Sequence, residues 1–401
     1  MNSIKKNNNR GLIIILFCIF YLHEYPAISF RFPILIYWGI VVLLFALLIN
    51  RKYEAIGLRN VISIFGLSAL SYIIIVLKTP SLLGTYMVEL LELSIYLMMG
   101  QYLIEDNNKK TISFVIVFIL AFYIITSITT NIGCQIYPLA SRDLASGVHG
   151  DSDLSGVYKS MNIGGFDFIY SVVLVVPLLI GTIKIKKKIV YWIIAVPSLL
   201  LIGLAVISSQ YTTALLIYLL GIASIFLKKR NGSVLAPFFY SLLLMIVIVP
   251  LLSVLTTMIQ GDILSERIND IFSFLTGERS NLNEIDGMDD RMIKWSTSID
   301  TILAYPLIGS WLAKGGSAGG HSFFLDSIAI YGIVGVVLLY AMYKNIYMLF
   351  IHKYKSYSCY NYLLYVLVLS ILIAFLNPFS NLEFLVFTLP LVGHYLSKQL
   401  V

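Results

Sequence analysis

The run IVYWIIAVPSLLLIGLAVIS, residues 189–208, holds no charged residue and follows directly on Lys184, Lys186, Lys187 and Lys188. At 1.5 Å of rise per residue, its length spans about 30 Å as a helix, the thickness of a bilayer's hydrocarbon core. Such stretches recur from one end of the chain to the other. They lie near 11–30, 32–50, 60–78, 82–104, 111–131, 166–184, 189–208, 211–227, 234–258, 321–343, 361–377 and 379–397. The first is interrupted by His23, Glu24 and Pro26. The composition agrees: the 401 residues are 59% hydrophobic and 12% charged, against about 45–50% apolar and 25% charged in soluble domains. The expected fold is all-α, one polytopic membrane bundle over residues 1–401 with about twelve transmembrane helices.

The basic segment from Met1 to Arg10 followed by apolar residues 11–22 resembles a secretory signal. No small-residue cleavage site follows and many more spans do, so it reads as an uncleaved first span. Orientation comes from the lysines and arginines. With the N-terminus inside, the short inner segments take most of them, including Lys5, Lys6, Arg51, Lys52, Lys109, Lys110, the 184–188 cluster, Lys228, Lys229, Arg230, Lys353 and Lys355. Both termini are then cytoplasmic. The net charge of +7 is a topology signal, and no nucleic-acid partner is implied. Cys18, Cys134 and Cys359 fall in three different segments and suggest no disulfide framework.

Two outer segments are long, 132–165 and 259–320. The polar chemistry is therefore expected on the extracytoplasmic face. No phosphate-cradling glycine motif of the P-loop kind occurs, so the energy must come from an activated substrate or a gradient. No His/Glu cluster has metal-ligand spacing, and neither metal nor cofactor is expected.

The 259–320 segment carries Asp289-Asp290-Arg291-Met292-Ile293-Lys294-Trp295 and ends in Gly315-Gly316-Ser317-Ala318-Gly319-Gly320-His321-Ser322. Apolar residues at Ile293, Trp295, Ile299, Ile302 and Leu303 predict a short amphipathic helix lying on the bundle. Arg291 and Trp295 share a face of it. Arg291 either binds phosphate oxygens with its guanidinium fork or pairs with Asp289 or Asp290 in a solvated loop. His321 either exchanges a proton near neutral pH or caps the following helix, in which Ser322 and Asp326 lie one turn apart.

The run Ser208-Ser209-Gln210-Tyr211-Thr212-Thr213 opens a span at the outer surface, offering an anion site at a helix N-terminus or simple capping. Arg142, beside Asp143 and near Lys159, is a further candidate for a phosphate contact. Glu89, Glu92 and Glu383 lie within spans, where carboxylates form either an ion pathway or bonds to neighbouring helices. Pro177, Pro197 and Pro250 are expected to kink their spans.

In this order, Arg291-x-x-x-Trp295, Tyr305-Pro306-Leu307-Ile308-Gly309, Gly320-His321-Ser322-x-Phe324-Leu325 and Tyr331-Gly332-Ile333-Val334-Gly335 resemble the O-antigen polymerase and ligase superfamily, the Wzy-type polymerases. The motif covers about 45 residues, and the twelve-span layout with a late large outer loop is similar along the whole chain. The resemblance implies a metal-independent, inverting glycosyltransferase of the GT-C type in the bacterial cytoplasmic (inner) membrane. It would act on undecaprenyl-pyrophosphate-linked oligosaccharide in O-antigen (lipopolysaccharide) or capsule biosynthesis, with membrane lipid around it and room for a chain-length regulator protein as partner. By that likeness Arg291 holds the pyrophosphate and His321 serves the acceptor hydroxyl or leaving group. Gln210, Tyr211, Arg142, Lys294, Trp295 and Ser322 are the expected substrate contacts. One departure is informative. Ligases of the superfamily carry a Ser-Arg pair where this chain reads Ser209-Gln210-Tyr211, which favours a polymerase over a ligase. It also leaves Arg142, Lys294 or Arg279 to supply the second cation. A polytopic glycolipid transporter or flippase using Glu89, Glu92 and Glu383 is the alternative from another class.

Overall fold

A computed structural model describes residues 9–24, 33–49, 57–78, 81, 83–146, 152–227, 288–311, 313 and 318–397. Among the described residues 85% are helical and none forms a strand. Six helices are long and apolar enough to cross a membrane: Arg59–Leu77, Tyr86–Asp106, Lys109–Ile136, Phe166–Lys186, Ile189–Ser208 and Ile333–Tyr354. Five shorter apolar helices, at Arg10–His23, Leu35–Ile49, Thr212–Phe226, Tyr360–Leu376 and Phe384–Ser397, stand where five further spans are expected. The expected span 234–258, with Pro250, lies outside the described residues, as do 259–287 of the second long loop.

The chain divides into two compact units. The first contains α1 (Arg10–Glu24), α2 (Ile34–Ile49), α3 (Leu58–Lys78), α4 (Leu83–Asp106), α5 (Lys109–Ile136), α6 (Ala140–Ser146) and α7 (Ser152–Ser160), and the chain returns to it at Leu382. Asn108 starts α5 by accepting from the Thr111 backbone N–H at 3.1 Å. The core of this unit is aromatic, with Phe17, Phe20, Tyr21, Tyr96, Phe122 and Phe387 linked through a chain of ring contacts. Arg10 pairs with Asp106 at 2.5 Å, and His394 Nε2 meets Asn107 Oδ1 at 3.1 Å. These contacts bring the start of α1, the α4–α5 junction and the final helix to one end of the unit. Cys18, Cys134 and Cys359 are free thiols.

The second unit is built around α8 (Phe166–Val173) and α9 (Val175–Lys186), which run almost continuously. The interruption at Leu174 has a plain cause: Pro177 has no N–H for the Val173 carbonyl and its ring crowds it. Around α9 pack α10 (Ile189–Ser208), α11 (Thr212–Ala223) and α15 (Tyr360–Leu376). Of the most apolar window of the α8–α9 span 83% is buried, against 33% for α10, so α9 is the core helix and α10 a peripheral one. The outward side of α10 is apolar (Ile193, Leu200, Leu204), as befits contact with lipid. Lys184 Nζ donates to the Ile225 carbonyl, which joins the C-terminal ends of α9 and α11.

The expected span 321–343 is not one helix. It is split into α13 (Phe323–Tyr331) and α14 (Ile333–Ile346) at Gly332, whose φ of 58° and ψ of −139° stop the first helix. A Cβ on Gly332 would stand 2.6 Å from the Gly309 nitrogen and from the Leu307 backbone. Gly332→Ala therefore adds conformational strain to a backbone clash and is expected to destabilise the fold by about 2–4 kcal/mol. Thermal unfolding of the detergent-solubilised protein measures this. Gly156→Ala, where a Cβ meets nothing within 4 Å, serves as the unaffected control.

Candidate functional site

The candidate site grows from α12 (Met288–Ala304), which packs on α13. Arg291 lies in the first turn of α12, three and four residues ahead of Lys294 and Trp295. Its side chain, like those of Asp289 and Asp290, lies outside what is described. Hydropathy alone predicts that Ile293, Ile299 and Leu303 face the bundle. They are instead exposed, with Leu303 at 74%, while Ser298 and Thr301 are buried. The helix buries Ser298 and Thr301 against the protein beside the half-buried Trp295 and Ile302, and turns Ile293, Ile299 and Leu303 outward. The reason is in the partners: α13 and the preceding loop offer polar atoms that need bonds, and an apolar face is no liability beside lipid.

The polar stripe holds the His321 loop. The Gly319 N–H donates to Ser298 Oγ at 2.9 Å, and the Ser298 hydroxyl donates to Asp326 Oδ1 at 2.7 Å. The other Asp326 oxygen accepts the Ser322 N–H at 3.0 Å. Gly319 lies flat against α12, so close that a Cβ would come within 1.9 Å of the Lys294 carbonyl oxygen. Ser322, not His321, caps α13: its fully buried hydroxyl accepts from the Leu325 N–H at 3.2 Å. Held in this frame, His321 Nε2 stands 2.6 Å from Lys294 Nζ. Both residues are half-buried.

Trp295 packs its ring on Phe375, centroids 5.8 Å apart. Its indole nitrogen is shielded from solvent and has no hydrogen-bond acceptor among the described residues. A buried donor left unmet costs about 1–3 kcal/mol, so an acceptor arriving with a ligand would be favoured there.

Gln210 and Tyr211 join the same end of this unit. Gln210 turns the chain between α10 and α11 with φ of 58°. Tyr211 begins α11 without a side-chain cap bond, and its ring lies 6.0 Å from that of Tyr170. The Tyr170 hydroxyl donates to Asn377 Oδ1 at 3.1 Å, and the Asn377 carbonyl accepts the Phe323 N–H at 3.0 Å. A chain of contacts thus runs from Tyr211 to the residue beside Ser322. This end is opposite the Lys184–Ile225 end, since Tyr211 opens α11 and Ile225 follows its close. Ser209 does not face a ligand: it is fully buried and its hydroxyl donates to the Val206 carbonyl at 2.9 Å.

Arg142 belongs to the first unit, half-buried on α6. There α6 and α7 close over Cys134, Ala140, Tyr158 and Ile163, and Asp143 interacts with Tyr158. Lys314 and Arg279 lie outside the described residues. In the same unit Glu92 accepts the Tyr37 hydroxyl at 3.2 Å, and Glu89 interacts with Tyr72. Among the described residues no group of three or more His, Cys, Asp or Glu side chains is placed to hold a metal ion.

Ser298, Asn377, Tyr170 and Phe375 were not legible as site residues. Ser298 alone left a trace, one helical turn beyond Lys294. The geometry defines a membrane protein, helical throughout its described residues, with a Lys294–His321 contact at one end of its second unit. No protein-family model matches the chain, and no curated protein matches it.

Proposed function

We propose that the protein is a membrane glycosyltransferase that polymerises lipid-linked glycan repeat units on the outer face of the cytoplasmic membrane. The observation that carries this reading is the Lys294–His321 pair, 2.6 Å apart, on a helix whose preceding turn holds Arg291. Cations beside a proton acceptor are what a transfer from a diphosphate carrier needs.

In this reading a hydroxyl of the incoming repeat unit attacks the anomeric carbon of the growing chain. The hydroxyl oxygen forms the new glycosidic bond and its proton passes to His321 Nε2. The bond from the anomeric carbon to the diphosphate oxygen breaks, and that oxygen leaves with the electron pair. One displacement inverts the anomeric centre. Arg291 and Lys294 hold the charge that develops on the leaving diphosphate. The Trp295 N–H and the Gln210–Tyr211 turn suit sugar hydroxyls, and the outward apolar stripe of α12 suits the prenyl tail. The sugar–diphosphate bond drives the reaction without a nucleotide.

Purified protein in vesicles, given prenyl-diphosphate-linked repeat units, is expected to yield a ladder of glycan lengths and one free prenyl diphosphate per linkage formed. Movement of single units across the vesicle with no lengthening would make it a transporter. Transfer to a lipid A core with no lengthening would make it a ligase.

A further inference from the structure

The contact between Lys294 and His321 bears on how the site is switched on. An ammonium has protons to give and no lone pair to offer. Across the 2.6 Å between Nζ and Nε2, the lysine must therefore donate and the imidazole accept. The ring is then neutral with its proton on Nδ1, and its one lone pair is spent on Lys294. That lone pair is the one with which a histidine takes a proton from a hydroxyl. In the structure described here the base is covered.

We propose that Lys294 is an anion-released cap on His321, and that a diphosphate entering the site draws the ammonium off Nε2 and uncovers the base. This rests on reading the site as one for a lipid-linked diphosphate. The two partners differ in freedom. Lys294 is a point charge on a flexible four-carbon stem. His321 sits in a loop tied on both sides, by the Gly319 N–H to Ser298 at 2.9 Å, the Ser322 N–H to Asp326 at 3.0 Å and the Phe323 N–H to Asn377 at 3.0 Å. When an anion arrives the lysine is the partner that moves. It moves because a diphosphate oxygen offers the attraction of opposite charges, which a neutral ring nitrogen cannot. No covalent bond changes in this step: one hydrogen bond of the ammonium is exchanged for another. Its consequence is an order of events, leaving group bound first and acceptor deprotonated second.

The test reads the lone pair directly. Diethyl pyrocarbonate transfers an ethoxycarbonyl group to an unprotonated imidazole nitrogen and releases ethanol and carbon dioxide. The full-length protein in phosphatidylcholine nanodiscs is labelled at fixed pH, and modification of the His321 peptide is followed by mass spectrometry. His23, His149, His352 and His394 are internal controls. Inorganic pyrophosphate is expected to accelerate labelling of His321 by about fivefold to tenfold, the rate equivalent of freeing one hydrogen bond, and to leave the controls unchanged. Lys294→Met is expected to label at the fast rate without pyrophosphate and to ignore its addition. Equal rates for the wild type and Lys294→Met without pyrophosphate would overturn the proposal. So would pyrophosphate that slows wild-type labelling or leaves it unchanged, a readout that stands even if the variant does not fold. Acceleration by added phosphatidylglycerol but not by pyrophosphate would overturn the diphosphate assignment in favour of a headgroup phosphate. The assay contains no glycan, so its failure leaves the polymerase reading to be judged by its own ladder.

Discussion

His321→Ala is expected to lower glycan polymerisation by at least about 100-fold, the lower range for loss of a positioned general base. Membrane levels of the protein should stay normal. Two features separate this from a folding defect. His321 is half-buried and does not cap α13; that task falls to Ser322, whose hydroxyl accepts from Leu325. The loop's anchors at Gly319, Ser298 and Asp326 are backbone and side-chain bonds that do not involve the imidazole. Arg291→Ala is expected to act in the same direction, through the leaving diphosphate. The measurement is polymer length on a gel for cells carrying each variant, beside an immunoblot of the membrane fraction. Polymer of normal length in both variants would remove these residues from the mechanism.

Gly319→Ala should be nearly as damaging, although it touches no reacting group. Its Cβ would be built 1.9 Å from the Lys294 carbonyl oxygen, and the atom in the way is backbone, which cannot swing aside. Either the loop or α12 must retreat by on the order of 1 Å, which displaces His321 from the diphosphate site proposed on α12. A misplacement of that size costs about 100-fold in rate. The clash is expected to lower the unfolding temperature of the solubilised protein, as Gly332→Ala does, and the catalytic part of the defect is read as polymer formed per folded molecule in the membrane fraction. Gly156→Ala, placed in open space, should polymerise normally. Full activity of Gly319→Ala would show that the contact between the two segments is irrelevant to the reaction.

The membrane character was plain from hydropathy because lipid imposes a length and a polarity on any crossing helix. The run at 189–208 emerged as α10, and the positive clusters around 106–110 and 184–188 emerged at helix junctions. The break at Gly332 was hidden. Residues 321–343 are apolar throughout, and glycine is common in membrane helices. What stops the helix is the close approach of Gly332 to Gly309 and Leu307, a contact between segments more than twenty residues apart. The orientation of α12 was hidden for a related reason. A hydrophobic stripe points inward in a water-soluble setting, yet beside lipid it is free to point out, and here the hydrogen bonds of Ser298 chose the direction.

The residue types of the site, Arg291, Lys294, Trp295 and His321, could be picked out from order and spacing, because a helix repeats every 3.6 residues and that repeat is written into the chain. Their arrangement could not. Lys294 meets His321 because Asp326, Ser298 and Gly319 draw one loop onto one helix, and Tyr211 lies at the same end because Tyr170 bonds to Asn377 across 207 positions of chain. Local periodicity carries no information about bonds of that reach; they exist once packing of the helices has brought distant polar atoms within reach.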